Sequence, residues 1–151
     1  MTSQSPNDGH DLLLRTLADF RFELRQFLHF SECAALEAGL QPQQHQLLLQ
    51  VAGAPEGTAV TVAYAAERLG LKHNSAVELV DRSERQDLLV RKADITDRRR
   101  AILRVTRKGR RVLGGLAEDH ARELNELAPR LIQALGHISL CADRTTDSEA
   151  Q

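Results

Sequence analysis

At 151 residues, 42% of them hydrophobic and 27% charged, the chain has the length and composition of one globular domain, with no room for a second, catalytic one. No apolar run nears the roughly 20 residues that a membrane span needs. The start has no basic and apolar signal segment, and Cys33 and Cys141 have no metal-type spacing, which together point to a cytoplasmic protein without membrane contact. The net charge of −1 conceals an asymmetry: Arg68 to Arg111 holds 14 of the 20 Lys+Arg but 6 of the 21 Asp+Glu, leaving +8 there and −9 elsewhere. Such a stretch is built to meet a polyanion. It contains no Phe, Tyr or Trp, whereas single-strand binders stack bases on aromatic side chains, so double-stranded DNA is the expected partner.

The first ten residues are polar, with a Pro and a Gly, and read as a disordered lead. From Asp11, the residues Leu13, Leu17, Phe20, Leu24 and Phe27/Leu28 recur at steps of three and four, the stripe of a helix that runs to about Ala38 before Gly39. Pro42 suits the first turn of a second helix, Gln43 to Ala52, and the cluster Gly53, Pro55, Gly57 ends it. The β-branched run Thr58 to Val62 predicts a strand, Ala63 to Leu69 a short helix stopped by Gly70, and about Asn74 to Gln86 the helix that follows a tight turn. Leu88 to Lys92 and Ala101 to Val105 predict a hairpin around the polar loop Ala93 to Arg100. A long helix from Arg107 to about 138 carries Leu113, Leu116, His120, Leu124, Leu127, Leu131 and Leu135 on one stripe. Pro129 either kinks it or starts a new helix, and 139–151 reads as a flexible tail. Both terminal helices carry more apolar stripe than so small a domain covers, which predicts a homodimer.

A helix, a turn with Gly and a second helix place that second helix in the major groove of DNA, and a charged hairpin after it is a wing. Residues 63–109 resemble the winged helix-turn-helix of the MarR family of bacterial transcription regulators. The Leu69-Gly70-Leu71 turn, Leu79-Val80-Asp81-Arg82, Leu88 to Arg91, the wing Asp97-Arg98-Arg99 and Val105-Thr106-x-x-Gly109 fall at that family's spacings. The resemblance implies a mainly α fold with a small β-hairpin wing. A DNA-binding lobe over about 58–106 would be flanked by dimerisation helices over about 11–38 and 107–138. It further implies a dimeric repressor of a palindromic operator, released by a small aromatic or phenolic ligand between the dimerisation helices and the DNA-binding lobe. The cluster Phe22, Phe27, His29 and Phe30 either lines such a pocket or is plain dimer core.

Helical facing turns Ala76, Leu79, Val80 and Ser83 toward the core of the second helix and His73, Asn74, Ser75, Val77, Glu78 and Arg82 outward. With Lys72 before the helix and Asp97, Arg98, Arg99 and Arg100 on the wing, the outward residues other than Glu78 are the DNA-binding candidates. Guanidinium groups on a hairpin suit the narrow minor groove, and the resemblance gives Asp97 the task of steadying the wing while Arg99 enters the groove. Asn74 is either a contact to bases or phosphates or the N-cap of its helix. Glu78 is expected to pair with Arg82, four residues on. Ser83 stands where Leu is usual in the family.

No nucleophile elbow, phosphate loop or His-Glu-x-x-His motif is present, so no enzyme activity or cofactor is read from the chain. The six histidines, His10, His29, His45, His73, His120 and His137, have no metal-ligand spacing, and His120 reads as a satisfied core or interface residue. Cys33 is either a redox trigger, which would make this a thiol-sensing regulator, or a small buried hydrophobe. An alternative class is a winged-helix adaptor for protein contact, which would carry an exposed apolar patch in place of the arginine wing.

Overall fold

The computed structural model describes residues 6–148, with side chains from Gly9 to Leu140. Seven elements follow in order: α1 (Pro6–Glu37), α2 (Pro42–Ala52), α3 (Val62–Leu69), α4 (His73–Arg85), β1 (Leu89–Ala93), β2 (Ala101–Val105) and α5 (Arg107–Ser148). The fold is mainly α with one antiparallel hairpin, in which Leu89 pairs with Val105 and Ala93 with Ala101. The chain forms two compact units, one of residues 32–119 and the other of the residues up to Ser31 with those from His120 onward. No helix among the described residues is long and apolar enough to cross a membrane.

The 32–119 unit is built on a core of Leu47, Leu48, Leu79, Val80, Leu88, Leu89 and Leu103, all at most 2% exposed. Apolar residues of α2, α4 and the hairpin meet there because each element offers one buried face, which is where the hydrophobic gain of a small domain must come from. The segment Thr58 to Val62 is not the expected strand. The Thr61 N–H turns back to the Ala59 carbonyl (2.9 Å), which breaks the extended path, and the Thr61 hydroxyl caps α3 by accepting the Tyr64 N–H (3.2 Å). One ladder-like bond survives, from the Leu103 N–H to the Val60 carbonyl (2.7 Å). Gly70 ends α3 in the left-handed conformation (φ 63°), and the Leu71 N–H reaches back to the Ala66 carbonyl (2.9 Å), making the tight turn into α4.

The motif Val105-Thr106-x-x-Gly109 is a junction. Thr106 donates its N–H to the Leu88 carbonyl (3.0 Å) and its hydroxyl to the Asp87 carbonyl (2.7 Å), while that hydroxyl accepts the Gly109 N–H (3.0 Å) and so caps α5. Gly109 packs directly on the link between α4 and β1: a Cβ there would lie 2.2 Å from the Leu88 carbonyl oxygen. Only glycine fits this approach.

In the other unit, α1 begins at Pro6, earlier than the expected start at Asp11, and α5 continues to Ser148 through the expected tail. Residues 1–5 and 149–151 lie outside the described ones, as does the side chain of Cys141. Pro129 lies inside α5 and starts no new helix. It is exposed, and so is Asn125, whose carbonyl loses the i→i−4 partner and can turn to water. His120 is satisfied as expected: its Nε2 lies 2.7 Å from the Ser31 hydroxyl, and the rings of Phe27 and Phe30 meet it edge-on at 5.8 and 5.5 Å. Leu14, Phe22, Leu28, Ile132 and Leu140 are each more than half exposed.

Gly109→Ala is expected to destabilise the protein by about 1–3 kcal/mol through overpacking. Gly114→Ala, on the same helix with nothing within 4 Å of its added Cβ, is expected to stabilise by about 1 kcal/mol. Urea denaturation of the two variants checks the opposite signs.

Candidate nucleic-acid interface

The candidate recognition helix is α4, and its amphipathic facing follows the sequence. Ala76, Leu79, Val80 and Ser83 are buried, Val77 is half-buried, and His73, Asn74, Ser75, Glu78 and Arg82 are exposed. Lys72, also exposed, is the N-cap, and its side chain makes no capping hydrogen bond. Asn74 therefore sits in the second helical position and is not the cap. The helix start consequently presents N–H groups with no side-chain acceptor, the condition that favours a phosphate.

Ser83 has a partner of its own. Its hydroxyl donates to the Leu79 carbonyl (2.8 Å) and lies 3.5 Å from Gln44 Nε2, which also donates to Gln86 Oε1 (3.1 Å). Gln44 is itself buried, and its Oε1 accepts the Gln41 N–H at the start of α2 (3.1 Å). A polar link thus joins α2 to α4 where a leucine would have packed, and the helix is anchored at this point despite the smaller side chain.

The expected Glu78–Arg82 pair does not form among the described residues. The acids that do act on α4 are Asp81 and Glu84, which face β1. Arg91 Nη2 lies 2.7 Å from Asp81 Oδ1, Arg91 Nη1 pairs with Glu84 Oε2, and the Arg91 N–H donates to Glu84 Oε1 (3.0 Å). Burial works against the Arg91 charge, but the hydrogen bonds to Asp81 and Glu84 outweigh it and hold the guanidinium above its usual pKa. The recognition helix and the first strand of the wing are clasped by one arginine. Two carboxylates on one guanidinium, one of them also accepting the same residue's N–H, fix orientation better than any single surface pair would. Sequence reasoning missed this clasp. The available signal was two acids three apart on one helix face, followed by an arginine at an inward-leaning strand position.

On the wing, Asp94 and Asp97 shape the loop. Asp94 Oδ1 accepts both the N–H and the hydroxyl of Thr96 (2.9 Å each), and Asp94 Oδ2 meets Arg100 Nη2 at 2.8 Å. Asp97 Oδ1 accepts the Arg99 N–H (3.0 Å), and its Oδ2 lies 3.7 Å from Arg100 Nε. Asp97 thus steadies the wing, as the resemblance implied. Arg100 is a brace, with its guanidinium held by Asp94 and Asp97, so it is less available to DNA than Arg98 and Arg99. Those two are exposed and have no ion pair among the described residues.

Helix α4 ends at Arg85 with Gln86 as its cap, Asp87 beyond it takes the left-handed conformation (φ 56°) that Asp tolerates, and Lys108 Nζ donates to the Gln86 carbonyl (2.8 Å) at the negative end of the helix. Elsewhere, Cys33 is exposed, so the expectation of a buried small hydrophobe does not hold for it. Among the described residues no group of three His, Cys, Asp or Glu is placed to hold a metal ion.

Residues 38–100 match a family model described as the MarR family. The HTH-type transcriptional regulator MhqR of Bacillus subtilis is 32% identical over 77 residues, which are 51% of this chain and 52% of that protein, so the match spans about half the length of this curated relative. Among solved structures, the MarR family transcription regulator SP03579 superposes with a TM-score of 0.73 at 18% identity, covering 95% of this chain and 96% of that one. The MepR F27L mutant of S. aureus, solved bound to an oligodeoxyribonucleotide, gives a TM-score of 0.61 at 17% identity, covering 87% and 95%.

The hydrogen bonds from Thr96, with the Arg100 charge beside them, lower the Asp94 pKa below the ordinary carboxylate value. A depressed carboxylate pKa contributes stability that is present above the unfolded value of about 3.9 and is lost as pH falls through the folded value. Carboxyl-carbon NMR titration should therefore place the Asp94 midpoint below about 3.9, with the amide resonances of the wing loop shifting over the same interval.

Proposed function

We propose that the chain is a member of the MarR family, whose model matches residues 38–100, and that it is a regulator of transcription that reads double-stranded DNA with α4 and the β1–β2 wing. The observation that carries this reading is the division of labour among the wing arginines. Arg100 is tied down by Asp94 and Asp97, which leaves Arg98 and Arg99 standing free at the tip of a stiffened hairpin. Guanidinium groups so presented suit the minor groove, where narrow width enhances the negative potential. The polar outward face of α4, with Asn74, Ser75 and Arg82 exposed beside Lys72 and His73, supplies donors for base edges and phosphates in the major groove. Val77, half-buried on the same helix, is the apolar side chain we assign to a thymine methyl.

The assembly we propose is a homodimer that binds a palindrome and acts as a repressor released by a small ligand. Its support is the exposed apolar surface of the unit that holds most of α1 and α5, where Phe22 is 58% and Ile132 69% exposed; a second copy would cover such surface. An adaptor role is less well supported, since the outward face of α4 is polar.

Fluorescence-anisotropy titration onto duplex DNA from the upstream region of its own gene, at about 50 and 200 mM salt, tests the reading. The expected result is tight binding that weakens by roughly 10³ or more across that range. An Arg98→Ala/Arg99→Ala variant should bind weakly, with a salt dependence shallower by about 0.9 in log–log slope for each phosphate that the missing arginines no longer neutralise. Equal affinity for this duplex and for random DNA, unchanged by the double substitution, would overturn the reading.

A further inference from the structure

Glu78 stands in the middle of the outward stripe of α4, four residues after Asn74 and four before Arg82, so the three follow one another in steps of about 6 Å along the helix axis. It is exposed, and no ion pair or side-chain hydrogen bond holds its carboxylate among the described residues. The other acids of the basic stretch are placed differently. Asp81 and Glu84 hold Arg91, Asp94 and Asp97 hold Arg100, and Asp87 lies beyond the helix. Glu78 is therefore the one acid of α4 that no arginine neutralises among the described residues, although Arg82 lies one turn away. Ala76, Leu79 and Val80, buried on the opposite side, fix the roll at which the helix offers it.

On a face that meets DNA, such a carboxylate is repelled by the phosphates of any duplex, whatever its sequence. The repulsion is offset only where the carboxylate finds a hydrogen-bond donor. In the major groove, guanine and thymine present acceptors, and adenine presents its N6 amino group beside the N7 acceptor. Cytosine presents its N4 amino group with no acceptor next to it. We propose that Glu78 is a specificity-determining residue that accepts a hydrogen bond from the N4 amino group of a cytosine, so that the DNA site carries a C·G pair beneath the middle of α4. The proposal rests on the DNA-reading function above and assigns one base to it. Specificity is a difference of affinities, and this acid acts on both sides of the difference. It bonds to cytosine, and it repels the acceptor edges of the wrong bases.

The test compares the full-length protein with its Glu78→Ala variant, whose fold, checked by circular dichroism, is retained because the residue is exposed and alanine favours a helix. Each protein selects duplexes from a randomised pool. The parent's duplexes should share a C·G pair that the variant's lack. Replacing that cytosine by 2-pyrimidinone, which has no amino group, should weaken the parent by about tenfold, the size of one hydrogen bond to a charged group. The same replacement should weaken the variant only by what the poorer base pair costs both proteins. On random duplex the variant should bind about twofold more tightly than the parent, because one repulsive charge is gone. A parent indifferent to removal of the amino group, an equal loss in parent and variant, or a variant that keeps the C·G preference would overturn the proposal. So would tighter binding of the variant to selected and random duplex alike, which would leave Glu78 only a repulsive role. A parent that selects no sequence would contradict the DNA-reading function itself, and the proposal would fall with it.

Discussion

The arginine that joins α4 to the hairpin orders the rest of the candidate interface. Arg91 lies in a stretch whose excess of basic charge works against close approach of α4 and the hairpin. The acids Asp81 and Glu84 convert one of those charges into a tether. Of the six acids between Arg68 and Arg111, four hold arginines: Asp81 and Glu84 hold Arg91, and Asp94 and Asp97 hold Arg100. These acids therefore orient the structure and do little to dilute the field at Arg82, Arg98 and Arg99, which point outward. Like charges gathered to meet phosphate repel one another, and the effect is largest at low ionic strength. Anchoring some of them internally is how one small lobe keeps its shape and its basic face together.

A second constraint acts at the base of the wing. The Leu88 carbonyl accepts from Thr106, and Gly109 packs on it so closely that a Cβ has no room. One carbonyl between α4 and β1 thus sets where the second strand ends and where α5 begins. Together with the buried link from Gln44 through Ser83, which ties α4 to α2, it fixes the turn that follows α4. The outward residues of α4 are presented by an element whose inner face is fixed. A recognition helix requires this, because contacts to base edges lose their value when the helix can roll in the groove.

Much of this was legible in the sequence. Apolar periodicity located α1, α2 and α5, Gly70 marked the turn, and the facing of α4 came directly from the spacing of Ala76, Leu79, Val80 and Ser83. Features that depend on tertiary partners were not legible. The run Thr58 to Val62 has strand chemistry, but Thr61 caps α3 and the segment contributes a single bond to β2. Asn74 has better capping chemistry than Lys72, yet α4 starts one residue before it, with Lys72 in the cap position. Glu78 and Arg82 have ideal helical spacing and remain apart. Three adjacent arginines on the wing look equivalent in sequence, and only the positions of Asp94 and Asp97 single out Arg100 as the brace. Local chemistry predicts what a residue can do, and the fold decides which of those options it meets.

The claim that α4 and the wing read DNA as one clasped unit is tested most directly by footprinting. The protein and its Arg91→Met variant would be mapped, by methylation protection and hydroxyl-radical cleavage, on the duplex that the protein selects from a randomised pool. The account predicts protection of guanine N7 in the major groove together with flanking minor-groove sugars for the parent. In the variant the major-groove protection should persist and the minor-groove protection should be lost. A parent protein that selects no sequence, or a variant footprint indistinguishable from that of the parent, would contradict it.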